Sequence, residues 1–162
     1  MPERVILNLL KVEKSSGYSA LRKKLRSMKT DRLDALFHAF HDEVFSHIDC
    51  LSCAACCINI SPAIRDVDIR RLSRTLQMKP SEIVEKYMYL DDDLDYVFHK
   101  APCPFLGPDN LCTVYEDRPG ACREYPHTNR AHMHQILELT FKNASVCPAV
   151  KEILAKFESL QL

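Results

Sequence analysis

Glycine is scarce in this sequence, three residues in 162, and no G-x-G loop of the kind that cradles a nucleotide phosphate occurs. An excess of one charge is missing too. Lysine plus arginine number 22 and aspartate plus glutamate 22, so no net field draws the chain to nucleic acid or to an anionic membrane. No run approaches the roughly 20 apolar residues of a membrane helix. The opening Met1–Leu10 has only a short apolar stretch and no small-residue cleavage site, unlike a secretory leader. The expectation is a cytosolic protein without membrane or nucleic-acid partners, in a compartment where thiols stay reduced and paired cysteines are more often ligands than disulfides.

Length and composition fit one globular unit, since a chain of this size buries roughly 70% of the surface it exposes unfolded. The expected class is mainly α: a small, loop-rich domain organised around a cysteine site, with at most short strands. Residues 1–48 read as a helical arm packing on a cysteine domain at 49–162. Leu33, Leu36, Phe37, Phe40, Val44, Phe45 and Ile48 repeat every three or four residues, which predicts an amphipathic helix from Asp31 to Ile48 capped by Thr30 or Asp31. A shorter helix is expected near Tyr18–Met28. Its basic run Arg22-Lys23-Lys24-Leu25-Arg26 reads as a solvated face.

Ser61-Pro62 reads as an N-cap with proline at the first helical position, opening a helix over Ala63–Leu76, and Ser81 as the cap of another reaching Met88. Asp95–His99 reads as a short strand after the turn Asp91-Asp92-Asp93. Prolines at 102, 104, 108, 119 and 126 exclude a long helix between Ala101 and His127, with a loop at Gly107–Asn110. His132–Phe141 alternates imperfectly and is expected to be a strand. Ser145 is the expected cap of a last helix whose stripe is Val150, Ile153, Leu154, Phe157 and Leu160, with Cys147 in its first turn.

The abundant residue is cysteine, eight in all, four of them within Cys50-Leu51-Ser52-Cys53-Ala54-Ala55-Cys56-Cys57. Cys50, Cys53 and Cys56 have the C-x2-C-x2-C spacing with which ferredoxin-type loops wrap corners of a [4Fe–4S] cluster. Cys103-Pro104 and Cys147-Pro148 carry the Cys-Pro feature of such motifs. Adjacent cysteines rarely serve one metal, so Cys57 belongs to a second centre or is a spare thiol, the one candidate nucleophile. Zinc is the competing metal, but a zinc ribbon wants two C-x2-C knuckles and the second is missing. Spacing and compartment favour an iron–sulfur cluster over zinc, and both over disulfides or plain buried thiols.

Cys103-Pro104-Phe105-Leu106, Cys112-Thr113-Val114-Tyr115, Arg118-Pro119 and Cys122-Arg123-Glu124-Tyr125-Pro126, with the upstream C-x2-C-x2-CC run, resemble the YkgJ-type cysteine-cluster family. The resemblance extends from Cys50 to Cys147. It implies a zinc- or iron-chelating domain whose metal ligands are Cys50, Cys53, Cys56, Cys57, Cys103, Cys112, Cys122 and Cys147. Such chains are often labelled iron–sulfur oxidoreductases. A related module occurs in flagellin lysine methylases, whose larger chains resemble this one only around the cysteines; methyl transfer is not carried over.

Within the motif, Arg118 and Arg123 either offset the charge of a thiolate-ligated cluster or pair with Glu116, Asp117 or Glu124 at the surface. Tyr115 and Tyr125 either shield the centre or pack in a core. The histidine pairs His38/His41 and His132/His134 read first as hydrogen-bonded or exposed side chains and second as metal ligands, and His127 is the histidine closest in sequence to the motif. Three functions compete: a cluster-carrying protein with a redox partner, a metal-stabilised structural or interaction domain, and an accessory protein that hands iron or zinc to a protein partner.

Overall fold

The structure, a computed structural model, describes residues 18–161. The leader reading of Met1–Leu10 lies outside the described residues. The fold is mainly α, as expected, and the one sheet among the described residues has two strands. Among those residues no helix is long and apolar enough to cross a membrane. The described residues divide into two compact units, one formed by the chain up to Asp49 together with the chain from Pro126 onward, the other Cys50–Tyr125.

In the first unit, α1 (Ser19–Ser27) buries Leu21 and Leu25. Its basic run is not merely solvated. Lys24 Nζ donates to the carbonyls of Phe157 and Leu160 at 2.9 and 2.7 Å, Arg22 and Arg26 reach Glu138 at 3.2 and 2.6 Å, and the Arg22 guanidinium lies 4.5 Å from the Phe141 ring centre. Helix α2 (Thr30–Phe45) buries Leu33, Phe37 and Val44 from the expected stripe. Lys29 stands at its N-cap with no side-chain cap bond. Thr30 is displaced from that role into the helix, where its hydroxyl meets His134 Nδ1 at 3.3 Å.

The expected strand at His132–Phe141 is instead a 3-10 turn, Met133–Ile136, running into α8 (Leu137–Asn143). Burial follows the helical period, at Met133, Leu137, Thr140 and Phe141. Thr140 hides its hydroxyl by donating to the Ile136 carbonyl at 2.9 Å, and Asp34 accepts the opening N–H groups of His132 and Met133 at 2.7 and 2.9 Å. Helix α9 (Pro148–Ser159) packs on α2, with Phe157 between Phe37 and Phe40 at ring-centre distances of 4.6 and 4.9 Å. Its N-cap is Cys147; Ser145, the expected cap, donates to the Lys142 carbonyl.

The second unit begins with two short helices, α3 (Cys50–Cys53) and α4 (Ala55–Asn59). Helix α5 (Asp66–Leu76) starts later than the Ser61-Pro62 reading implies. The Ser61 hydroxyl accepts the Phe98 N–H at 2.7 Å, and Ile64 pairs with Tyr96, so this stretch is held extended against a strand. Ile69 and Leu72 face the core, whereas Val67 is exposed. Helix α6 (Pro80–Tyr87) places proline at the start, and the Glu82 carboxylate, not Ser81, satisfies the N-cap by accepting the Lys79 N–H at 2.7 Å. Strand β1 (Met88–Leu90) pairs antiparallel with β2 (Tyr96–Phe98), Met88 opposite Phe98. The core is Ile64, Ile69, Leu72, Ile83, Met88, Phe98, Phe105 and Val114, and Cys103 and Cys112 pack against it.

Candidate metal centre

Cys50 and Cys53 stand at the two ends of α3, one helical turn apart. At Ala54 the backbone turns left-handed, φ 51°, and α4 restarts with Cys56 and Cys57 in its first turn. An alanine in that region costs on the order of 1–3 kcal/mol. It is held there by burial of its methyl and by bonds on both sides: its N–H to the Cys50 carbonyl at 3.2 Å, and its carbonyl from the Ile58 N–H at 3.0 Å. The C-x2-C-x2-C run is therefore not one helix. The break redirects Cys56 and Cys57 relative to Cys50 and Cys53.

Cys112 arrives on a hairpin. Leu106 pairs with Cys112, the Thr113 N–H donates to Phe105 O at 2.8 Å, and Gly107 N–H donates to Leu111 O at 2.8 Å. Gly107 sits in a tight turn, where a Cβ would meet Asp109 Oδ1 at 2.8 Å and Leu111 O at 3.2 Å. Just ahead of this hairpin, the Cys103 N–H donates to the Cys57 carbonyl at 2.7 Å. Cys122 lies in α7 (Gly120–Glu124), with its N–H on the Pro119 carbonyl at 2.9 Å.

These thiols sense one another. The Cys56 and Cys57 sulfurs are 4.0 Å apart and share a hydrogen bond. That bond holds Cys57 down, to about 7, against the opposing effect of its burial. The same bond pushes Cys56 up, reinforced by its burial and by the charges of Cys57 and Cys122. Burial pushes Cys103 up to about 11, with Cys57 and Cys112 adding to it. Burial pushes Cys122 up to about 12, aided by Cys103, Cys57 and Cys112. Cys112 is raised by burial and by Cys57. Cys57 is common to every one of these interactions.

A cluster of half-buried thiols that repel one another as thiolates is a donor set matched to a soft cation, which offsets that repulsion and takes deprotonated sulfur as its ligand. As they stand, no three His, Cys, Asp or Glu side chains among the described residues are gathered closely enough to hold an ion. Arg118 acts on this set directly, its charge favouring the thiolates of Cys112 and Cys122. Its guanidinium lies 3.8 Å from the Tyr115 ring centre and donates to the Tyr115 carbonyl. Arg123 donates to the backbone carbonyls of Glu116 and Arg118, so it braces the loop.

Cys147 is buried in the other unit as the N-cap of α9. The histidines there serve the fold: His38 meets the Arg130 carbonyl at 2.9 Å, His41 the Thr128 hydroxyl at 2.8 Å, and His134 the Leu25 carbonyl at 3.2 Å. His127 takes a left-handed φ of 64° in that same unit.

Residues 49–148 match the model of the family described as "CxxCxxCC: Putative zinc- or iron-chelating domain". The chain belongs to this family. The matched region contains every cysteine of the sequence, and the family's description names zinc and iron alike. No curated protein and no solved structure matches the chain. What membership of the CxxCxxCC family brings is the description of a zinc- or iron-chelating domain. The sequence reading missed Asp68, an acidic residue in the first turn of α5 that is wholly buried and tied to the segment carrying Cys122. Its only sequence signal is the Asp68-x2-Arg71 spacing, which is also common on solvated helices.

Proposed function

We propose that this chain carries an iron–sulfur cluster on the thiols of Cys50–Tyr125 and serves in a redox or accessory role toward a protein partner. The observation that carries this reading is the geometry around Cys57, whose sulfur lies 4.0 Å from that of Cys56 and whose carbonyl accepts the Cys103 N–H at 2.7 Å, within the region that matches a zinc- or iron-chelating family. A closed zinc site and a [4Fe–4S] cluster each take four thiolates, and the C-x2-C-x2-C spacing of Cys50, Cys53 and Cys56 favours the cluster. Cys50 and Cys53, on the turn just upstream, extend the donor supply further. A cluster bound there would supply one-electron chemistry, and the residues of this chain would hold it, limit its contact with water and set its charge environment. Arg118 is suited to the last of these tasks through its pull on Cys112 and Cys122.

Zinc is the second reading, favoured by one observation: the family's description names zinc beside iron, and four thiolates would suffice for a structural ion contributing to folding. Anaerobic purification followed by quantification of iron, acid-labile sulfide and zinc separates the two. Brown protein with iron and sulfide in equal amounts supports the cluster. Colourless protein with stoichiometric zinc contradicts it and leaves a structural or interaction domain.

A further inference from the structure

Asp68 is completely buried, and its carboxylate is enclosed by donors. Oδ2 accepts the Arg65 N–H at 3.0 Å, with Arg65 Nε at 3.6 Å. Oδ1 accepts from Arg71 Nη2 at 2.5 Å and from the Gly120 N–H at 3.0 Å. The first set closes the start of α5 on itself. The Gly120 bond does not: it crosses to the segment that opens α7, two residues before Cys122.

Arg71 makes a second tie to the same segment, donating to the Arg118 carbonyl at 3.3 Å. Thr75 makes a third, from its hydroxyl to Asp117 Oδ2 at 2.7 Å. Asp68, Arg71 and Thr75 are spaced i, i+3, i+7, so one face of α5 grips residues 117–120. Helix α7 is five residues long and too short to be stable by itself. Where Cys122 stands is consequently set by what holds Arg118 to Gly120. A Cβ at position 120 would meet the end of the Arg65 side chain, which is exposed and free to swing aside.

We propose that Asp68 is a positioning residue for the metal centre, whose buried carboxylate, through the Gly120 N–H and the Arg71 guanidinium, fixes the segment that presents Cys122. This rests on the reading of Cys122 as a metal ligand. Groups that orient a ligand in this way typically change metal affinity by about ten- to a hundredfold when removed. If Asp68 acts through Cys122, its removal matters only while Cys122 is a ligand, and the two substitutions fail to add.

The test is a double-mutant cycle on the metal-free full chain, titrated with cadmium against a competing chelator and followed by the thiolate-to-metal absorption band. Asp68→Ala is expected to weaken cadmium binding at least tenfold with the helical content kept. Asp68→Asn, which retains an oxygen for Gly120 but loses the charge facing Arg71, is expected to fall between. Asp68→Ala combined with Cys122→Ser should bind no more weakly than Cys122→Ser alone. Ile83→Val, a mild core change in the same unit, should lower stability without altering cadmium affinity. Unchanged affinity in Asp68→Ala, or full additivity with Cys122→Ser, overturns the assignment. If Asp68→Ala does not fold, Asp68→Asn taken through the same cycle decides it on the same criteria. Full affinity and an undiminished thiolate band in Cys122→Ser would instead overturn Cys122 as a ligand, and the positioning role with it.

Discussion

The amide of Cys103 donates to the carbonyl of Cys57 at 2.7 Å. This bond joins the end of the first cysteine run to the start of the second, and it makes Cys57 the neighbour of the later thiols. As a bond between backbone groups it survives replacement of either side chain. Substitutions at these two positions therefore test the sulfurs without removing the contact that brings them together.

Cys57→Ser should release more metal than Cys50→Ser. Cys57 influences Cys56, Cys103, Cys112 and Cys122, whereas Cys50 is exposed at the head of α3. Metal content per folded chain after anaerobic purification checks this; equal loss in the two variants would contradict the central place given to Cys57.

Gly107→Val should destabilise the hairpin carrying Cys112 by about 1–3 kcal/mol, the usual cost of forcing atoms into a filled site. Any Cβ at 107 meets Asp109 Oδ1 at 2.8 Å and Leu111 O at 3.2 Å. Urea unfolding of the metal-free protein measures the cost, and a change below a few tenths of a kcal/mol would show that the turn yields freely.

Lys24→Met should cost about 1 kcal/mol. Lys24 delivers its charge to the carbonyls of Phe157 and Leu160, at the C-terminal end of α9 where helix carbonyls lack partners and the dipole favours a cation. Methionine keeps most of the aliphatic stem and loses only the ammonium. Thermal unfolding at low and high salt distinguishes the charge effect, which should shrink as salt rises.

His41 should make the protein less stable in mild acid. Burial lowers its pKa below the ordinary 6.5, with His38 opposing protonation further and Asp42 favouring it. The folded state therefore prefers neutral imidazole, bonded to the buried Thr128 hydroxyl at 2.8 Å. Stability from this source is complete above about pH 6.5 and is lost as pH falls toward the lower folded value, because the unfolded chain takes up the proton first. Comparing denaturation midpoints of the parent and His41→Gln between neutral pH and pH 5 should show the parent losing its advantage; parallel curves would contradict the assignment.

The elements most legible in the sequence were those whose apolar residues repeat with the helical period, α2 and α9, where Leu33, Phe37, Val44, Ile153, Leu154 and Phe157 are buried as their spacing implies. The same rule failed at Met133–Asn143, because Thr140 occupies a core position and its polarity masks the repeat. Ser61 misled for a different reason. A serine before proline offers a cap, but here its hydroxyl serves the distant Phe98 amide, a non-local demand that no local pattern reveals. At the metal centre the donors were visible as residue types, while their grouping was not. It depends on the hairpin register of Leu106 opposite Cys112, on the left-handed turn held by the burial of Ala54, and on Asp68, whose bond to Gly120 spans 52 positions of the chain.

The most direct test of the central claim is X-ray absorption at the iron and zinc edges of the protein purified without oxygen. The account predicts iron surrounded by sulfur, with a further iron neighbour at the distance of a bridged cluster. Zinc ringed by four sulfurs with no iron present would contradict the cluster, and a metal bound mainly through nitrogen or oxygen would contradict the thiolate centre itself.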